Sequence, residues 1–188
     1  ALDKGEARPK HIKEKKTKIL GILGAGMMGS GIAYVSALAN INVVLIDSTV
    51  NKANEGKSKV KSILEEGIRR NKTTPEQMES VLQRITATDD YSLLKNTDLV
   101  IEAVFEDASL KNKVTKLAEA NIPQTTVFAT NTSTLPISEL ANASKNRSNF
   151  IGIHFFSPVN KMNLVEIIKG KQTADIAVGK ALDYVRQI

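Results

Sequence analysis

Residues 19–29, Ile19-Leu20-Gly21-Ile22-Leu23-Gly24-Ala25-Gly26-Met27-Met28-Gly29, decide the architecture of this chain. A short apolar run leads directly into a Gly-x-Gly-x-x-Gly string, and a segment of helical character follows. Glycines are common in turns, so the string alone carries little. Its setting between a strand and a helix carries more. Gly24 permits a tight turn, Gly26 lets phosphates approach bare backbone, and Gly29 lets the helix pack close to the strand. The amides and the dipole of a helix N-terminus then stabilise a diphosphate.

Outward from this loop, short apolar runs alternate with longer amphipathic stretches, the pattern of strands and helices in a parallel sheet. A helix is expected over 27–39 and a strand over 43–46, followed by a polar helix over 50–70 that buries Val60, Ile63, Leu64 and Ile68 on one narrow face. Thr74-Pro75-Glu76-Gln77 supplies an N-cap, a proline at the first helical position and a capping-box partner, so a second helix should start there and end near Gln83. The two helices read as an antiparallel excursion from the sheet. Strands at 85–88, 99–103 and 126–129, a helix around 109–120, apolar runs at 151–156 and 164–168, and a last helix over 174–188 complete the pattern. The fold class this predicts is α/β: a Rossmann-type, doubly wound, mostly parallel sheet with helices on both faces.

The 188 residues suffice for one substantial core, and no run approaches the length of a transmembrane segment. The absence of cysteine excludes a disulfide framework and favours a reducing compartment, with the cytoplasm as the expected location and the peroxisome or mitochondrion as alternatives. Net charge is +6, of which the first 18 residues hold +4. That clustering, with no aromatic residues interleaved to stack on bases, argues against a nucleic-acid partner. Residues 1–16 read as a basic linker from a preceding module, and 17–188 as the nucleotide-binding domain. Because the chain opens on Ala1 rather than Met and stops in or just after a predicted helix, it is expected to be a piece of a longer protein.

Asp47 ends the second predicted strand, 18 residues past Gly29, where a carboxylate accepts hydrogen bonds from both hydroxyls of an adenosine ribose and repels a 2′-phosphate. Ser48 and Thr49 follow it, not arginine, so NAD is expected over NADP. The alternative for Asp47 is a helix-capping or turn aspartate. Met27 and Met28 are expected to pack under the loop, with the Met28 backbone still able to touch cofactor. Ligands of such sheets lie at the carboxyl ends of the strands, which puts Val104, Phe105 and Glu106 and then Asn131, Thr132 and Ser133 near the nicotinamide half.

Several strings now coincide in order: GAGMMGSGIAYVSA (24–37), VIEAVFED (100–107) with Lys111 five residues after Glu106, ATNTSTLPISELA (129–141), and HFFSPV (154–159) followed by LVEII (164–168). Together they resemble the 3-hydroxyacyl-CoA dehydrogenase family from Lys18 to the end. The basic lead-in is similar to the linker of multifunctional fatty-acid β-oxidation enzymes, in which an enoyl-CoA hydratase module precedes the dehydrogenase. The resemblance implies NAD-dependent, reversible oxidation of an (S)-3-hydroxyacyl-CoA to the 3-ketoacyl-CoA. It also implies a C-terminal helical domain beyond this chain and a complete enzyme that is dimeric or part of a multienzyme complex.

A secondary alcohol gives up hydride readily only as its proton leaves, and imidazole is the side chain suited to take that proton near neutrality, which nominates His154. If the two apolar runs around a turn near Asn160 form an antiparallel ribbon, His154 and Glu166 face each other across it, and the carboxylate fixes the imidazole tautomer. The resemblance assigns a catalytic dyad to these positions; on the residues alone, His154 is equally a satisfied core histidine. The resemblance also matches Ser133 to a serine contacting the substrate oxygen, with a turn serine as the alternative. Glu106 and Lys111 match cofactor-contacting positions; Lys111 read alone is an ordinary solvated helix lysine. One departure is Ser157, where the family commonly has asparagine before proline; a serine is shorter, so a cofactor contact there becomes water-mediated. Together with Gly24, Gly26, Met28, Gly29, Asp47, Val104, Phe105 and Asn131, Ser157 completes the expected cofactor set. Two rivals remain: a related NAD-dependent hydroxy-acid dehydrogenase, and a non-catalytic nucleotide-binding module.

Overall fold

In the computed structural model, residues 7–188 are described. The Ile19–Leu23 run forms β1, and its flanks explain its composition. It pairs in parallel with β2 (Asn42–Ile46) on one side and β4 (Leu99–Glu102) on the other. Helices cover both faces, so β1 and β4 read as near-continuous apolar runs, and Leu20, Ile22, Val100 and Ile101 are fully buried. The seven strands lie in the order β3-β2-β1-β4-β5-β6-β7, where β3 is Ile85–Thr88, β5 Val127–Thr130, β6 Phe150–Phe155 and β7 Val165–Ile168. Six strands are parallel; only β7 runs antiparallel, against β6. This is the doubly wound order, with its switch point between β1 and β4.

Helix α1 (Met27–Leu38) follows the glycine string, and α2 (Val50–Arg69) buries Ala53, Gly56, Val60 and Leu64 along one stripe. Helix α3 (Pro75–Gln83) carries the expected capping box: Thr74 accepts from the Gln77 amide and the Gln77 side chain accepts from the Thr74 amide. The α2–α3 pair is less of an excursion than the sequence suggests, because α2 packs on α1, β2 and β3. Gly56 fixes that contact: a Cβ there would stand 2.6 Å from the Ala25 side chain, so α2 presses directly on the glycine loop. Helix α4 is Ala108–Glu119 with Asp107 as N-cap, α5 is the short Ile137–Leu140, and α6 is Asp175–Gln187. The short α5 and a 3-10 turn at Tyr91–Asn96 are absent from the sequence reading, since segments of four to six residues show no full helical period. No helix among the described residues is long and apolar enough to cross a membrane.

Residues 1–6 of the expected linker lie outside the described residues. Residues 7–16 form no strand or helix, and they are not solvated throughout. The Arg8 guanidinium donates to both Asp183 carboxylate oxygens on α6 at 2.6 and 3.0 Å, the Lys15 amide donates to Asp183, and Ile12 packs against Gly179. Burial opposes the charge on Asp183, yet these donors hold its pKa below the usual range. Breaking one partner of a buried pair leaves the other uncompensated, so Asp183→Asn is expected to cost about 2–3 kcal/mol, a Tm loss of roughly 5–10 °C at neutral pH. A depressed carboxylate stabilises fully above its unfolded pKa and progressively less below it. The Tm gap between wild type and variant, measured by calorimetry, therefore shrinks as pH falls below about 4.

Candidate active site

The glycine string turns at Gly24, whose φ of 98° lies in the region that disfavours side chains. A Cβ on Gly29 would fall 1.8 Å from the Gly24 carbonyl oxygen, so the helix can approach the strand only with glycine there. Gly26 differs: its φ is ordinary and a Cβ would meet nothing within 4 Å. It is the N-cap of α1, no side chain caps that end, and no acidic residue occupies the first turn. No side chain therefore competes for the first amides of α1 at this positive helix terminus, the arrangement that accepts a diphosphate. These residues fit a dinucleotide.

Asp47 stands at the end of β2 and accepts from the Ala25 amide at 2.8 Å through one oxygen, and from the Ser48 amide and hydroxyl through the other. The turn-aspartate alternative thus describes part of its work, whereas the capping alternative does not: Thr49 caps α2. Met28 is half-buried against the main core, as expected. Met27 is not; it is 69% exposed, and its sulfur accepts from the Ser157 hydroxyl at 3.4 Å. The first position of a helix capping an open crevice has no core above it.

The carboxyl ends of β4 and β5 carry Val104, Phe105 and Glu106 beside Asn131, Thr132 and Ser133. Val104 is half-buried and Phe105 is 86% exposed. Glu106 ties the two ends together. Its Oε1 accepts from the Thr132 hydroxyl and from the Ser133 and Thr134 amides, the latter two at 2.9 and 3.0 Å. Partial burial works against its charge, but these donors and Lys111 outweigh that and hold its pKa at about 2. Ser133 is exposed, its hydroxyl 3.4 Å from the same oxygen. Asn131 stitches β5 to β6: its side-chain oxygen accepts from the Phe155 amide at 2.8 Å, next to His154.

Lys111 is not a solvated helix lysine. It is 1% exposed, and its ammonium donates to both oxygens of Glu102 at 2.8 and 3.1 Å. It also lies 3.4 Å from Glu106 Oε2, so it supports the loop from beneath and is not presented to the crevice. Glu102 is absent from the sequence-derived site. The signal was there, since a carboxylate at the end of Leu99-Val100-Ile101-Glu102 is buried on both faces and requires a cationic partner.

β6 and β7 form the antiparallel ribbon, with His154 directly opposite Glu166 in the register. His154 Nδ1 and Glu166 Oε2 are 3.1 Å apart, the histidine side chain 17% and the glutamate 51% exposed. A carboxylate partner makes Nδ1 the donor, which leaves Nε2 as the nitrogen able to accept a proton. His154 is therefore neither a satisfied core residue nor free to rotate, and the Phe156 ring packs on it with centroids 4.5 Å apart. A groove of about 880 Å³ between α1, α2 and α3 includes neither the glycine loop nor His154.

The profile of the family described as "3-hydroxyacyl-CoA dehydrogenase, NAD binding domain" matches residues 19–188. Among solved structures, (S)-3-hydroxybutyryl-CoA dehydrogenase PaaH1 from Ralstonia eutropha is 38% identical with a TM-score of 0.84, over 90% of this chain and 62% of that one. The 3-hydroxybutyryl-CoA dehydrogenase of Escherichia coli K12 is 31% identical with a TM-score of 0.88, over 92% of this chain and 37% of its own. The dehydrogenase part of multifunctional enzyme 1 from C. elegans is 29% identical with a TM-score of 0.83, over 93% of this chain and 40% of its own. The chain thus spans between 37% and 62% of the length of these relatives. With a glycine loop built for a dinucleotide and a profile match over nearly its whole length, the chain belongs to the 3-hydroxyacyl-CoA dehydrogenase family, as its NAD-binding domain.

Proposed function

We propose that this domain is the cofactor half of an NAD-dependent (S)-3-hydroxyacyl-CoA dehydrogenase that interconverts 3-hydroxyacyl- and 3-ketoacyl-CoA, with His154 as the catalytic base. The observation that carries this reading is the His154–Glu166 hydrogen bond across β6 and β7, at the same sheet end as the glycine loop. NAD, when bound, supplies the hydride acceptor. His154 Nε2 takes the proton of the substrate hydroxyl, and Glu166 fixes the tautomer and stabilises the imidazolium that results. The Ser133 hydroxyl donates to the substrate oxygen, where negative charge develops as the proton leaves. Glu106 stands with the nicotinamide ribose, Asp47 with the adenosine ribose, and Gly24, Gly26, Met28 and Gly29 carry the diphosphate. Val104, Phe105, Asn131 and Ser157 border the nicotinamide half, and Lys111 acts through Glu106.

The physiological setting we infer is fatty-acid β-oxidation within a multifunctional enzyme, with residues 1–16 joining an upstream module to the domain at 17–188. The complete enzyme is proposed to be dimeric or held in a multienzyme complex, in the cytoplasm or, in a eukaryote, in the peroxisome or mitochondrion.

Oxidation of NADH by the complete protein with acetoacetyl-CoA, and none with free keto or hydroxy acids, is the expected result. The reverse preference would transfer the reading to a related hydroxy-acid dehydrogenase. Because Asp47 repels a 2′-phosphate, NADH is expected to bind at least about tenfold tighter than NADPH in a fluorescence titration. Tighter NADPH binding would remove Asp47 from the ribose.

A further inference from the structure

Glu102 and Lys111 form an ion pair in which each side chain is only 1% exposed, beneath the β4–α4 loop. The carboxylate is fully engaged. Val104 N donates to Oε1 at 2.8 Å, the Thr130 hydroxyl donates to Oε2 at 2.7 Å, and Lys111 donates to both oxygens. Lys111 then holds two further groups of the loop, the Val104 carbonyl at 3.4 Å and Glu106 Oε2 at 3.4 Å. Both backbone polar atoms of Val104 are therefore tied to the pair. The preceding Ala103 carbonyl abuts the glycine turn, where a Cβ on Gly24 would meet it at 2.7 Å.

One ammonium thus sits between two carboxylates, Glu102 inside and Glu106 outside, with Asp107 beyond serving to cap α4. A buried ion pair is weak evidence for stability, since an apolar pair of similar volume often serves as well. This pair aims its hydrogen bonds at a loop next to the cofactor crevice, which is what supporting groups beneath a binding site do.

We propose that Glu102 is a positioning residue for the cofactor. By fixing the Lys111 ammonium and the Val104 amide, it sets the place of the Glu106 carboxylate and of the β4–α4 loop that receives the nicotinamide-ribose half. This rests on the assignment of Glu106 to that half. With Glu102 intact, Lys111 divides its hydrogen bonds and Glu106 keeps its donors on β5. With Glu102 neutralised, the unpaired ammonium turns wholly to Glu106 and draws it away from Thr132, Ser133 and Thr134.

The test is NADH fluorescence titration and thermal unfolding of the complete protein and three variants. Glu102→Gln is expected to weaken NADH binding roughly tenfold and to lower Tm, because a charged hydrogen bond is lost and a charge is left buried. The double variant Glu102→Gln with Lys111→Met removes that charge. It is expected to regain Tm while its NADH affinity stays roughly tenfold low, since no ammonium then holds the Val104 carbonyl and Glu106 Oε2. Asp183→Asn, destabilised far from the crevice, is expected to bind NADH as wild type does.

Wild-type affinity in Glu102→Gln, or affinity recovered together with Tm in the double variant, would reduce Glu102 to a structural role and overturn the proposal. If Glu102→Gln does not fold, the double variant decides alone. A wild-type chain that fails to bind NADH would instead overturn the cofactor reading on which the proposal stands.

Discussion

Replacing His154 by glutamine in the complete protein is expected to lower kcat for acetoacetyl-CoA reduction by about three orders of magnitude while leaving NADH affinity essentially unchanged. The size follows from the role. Proton transfer by a positioned side chain contributes roughly 10²–10⁴-fold, and a carboxamide neither takes nor gives a proton at neutral pH. The selectivity follows from the geometry. His154 lies on β6 and hydrogen-bonds to β7, whereas the amides proposed to hold the diphosphate open α1 and Asp47 directly follows β2. Glutamine keeps a polar side chain opposite Glu166, so the ribbon holds. Steady-state kinetics with an independent NADH titration separate the two effects. A variant that retains turnover within about tenfold would place the base elsewhere.

A second pair of substitutions separates cofactor contact from folding. At Gly29 an added Cβ overlaps the Gly24 carbonyl oxygen, with backbone on both sides, so Gly29→Ala must push α1 off β1. Both Tm and NADH binding are expected to fall, the latter by about a hundredfold or more. At Gly26 the same methyl meets no protein atom and the backbone is unstrained, so Gly26→Ala is expected to keep wild-type Tm. In the proposed cofactor pose its methyl nevertheless occupies the space through which a diphosphate reaches the α1 amides, and NADH binding is expected to weaken at least about tenfold. Gly26→Ala binding NADH normally would mean that the diphosphate does not cross this loop.

Much of this geometry was legible in the sequence because its signals are local. The glycine string, the period of the apolar runs and the Thr74–Gln77 capping box each act within a few residues, and the corresponding elements fall within one or two residues of expectation. The His154–Glu166 pairing follows from the residues only if the two apolar runs form an antiparallel ribbon, and it was the family resemblance that singled the pair out; the register bears the ribbon out. What escaped depends on partners far apart in sequence. Arg8 looks like one more linker cation until Asp183, 175 residues on, is brought to it. Lys111 looks solvated until α4 lays it over Glu102. Met27 departs in the opposite sense: it is expected to pack under the loop, yet it opens α1 beside the crevice and stands exposed.

One crevice is proposed to hold the dinucleotide on the glycine loop and to present it to the His154–Glu166 pair. A crystal structure of the chain with NADH tests it most directly. The diphosphate is expected on the first amides of α1, the adenosine ribose hydroxyls on Asp47, and the nicotinamide beside Glu106 on the side of His154 Nε2. A diphosphate bound away from the Gly24–Gly29 turn, or a nicotinamide placed beyond reach of a substrate held by His154, would contradict it.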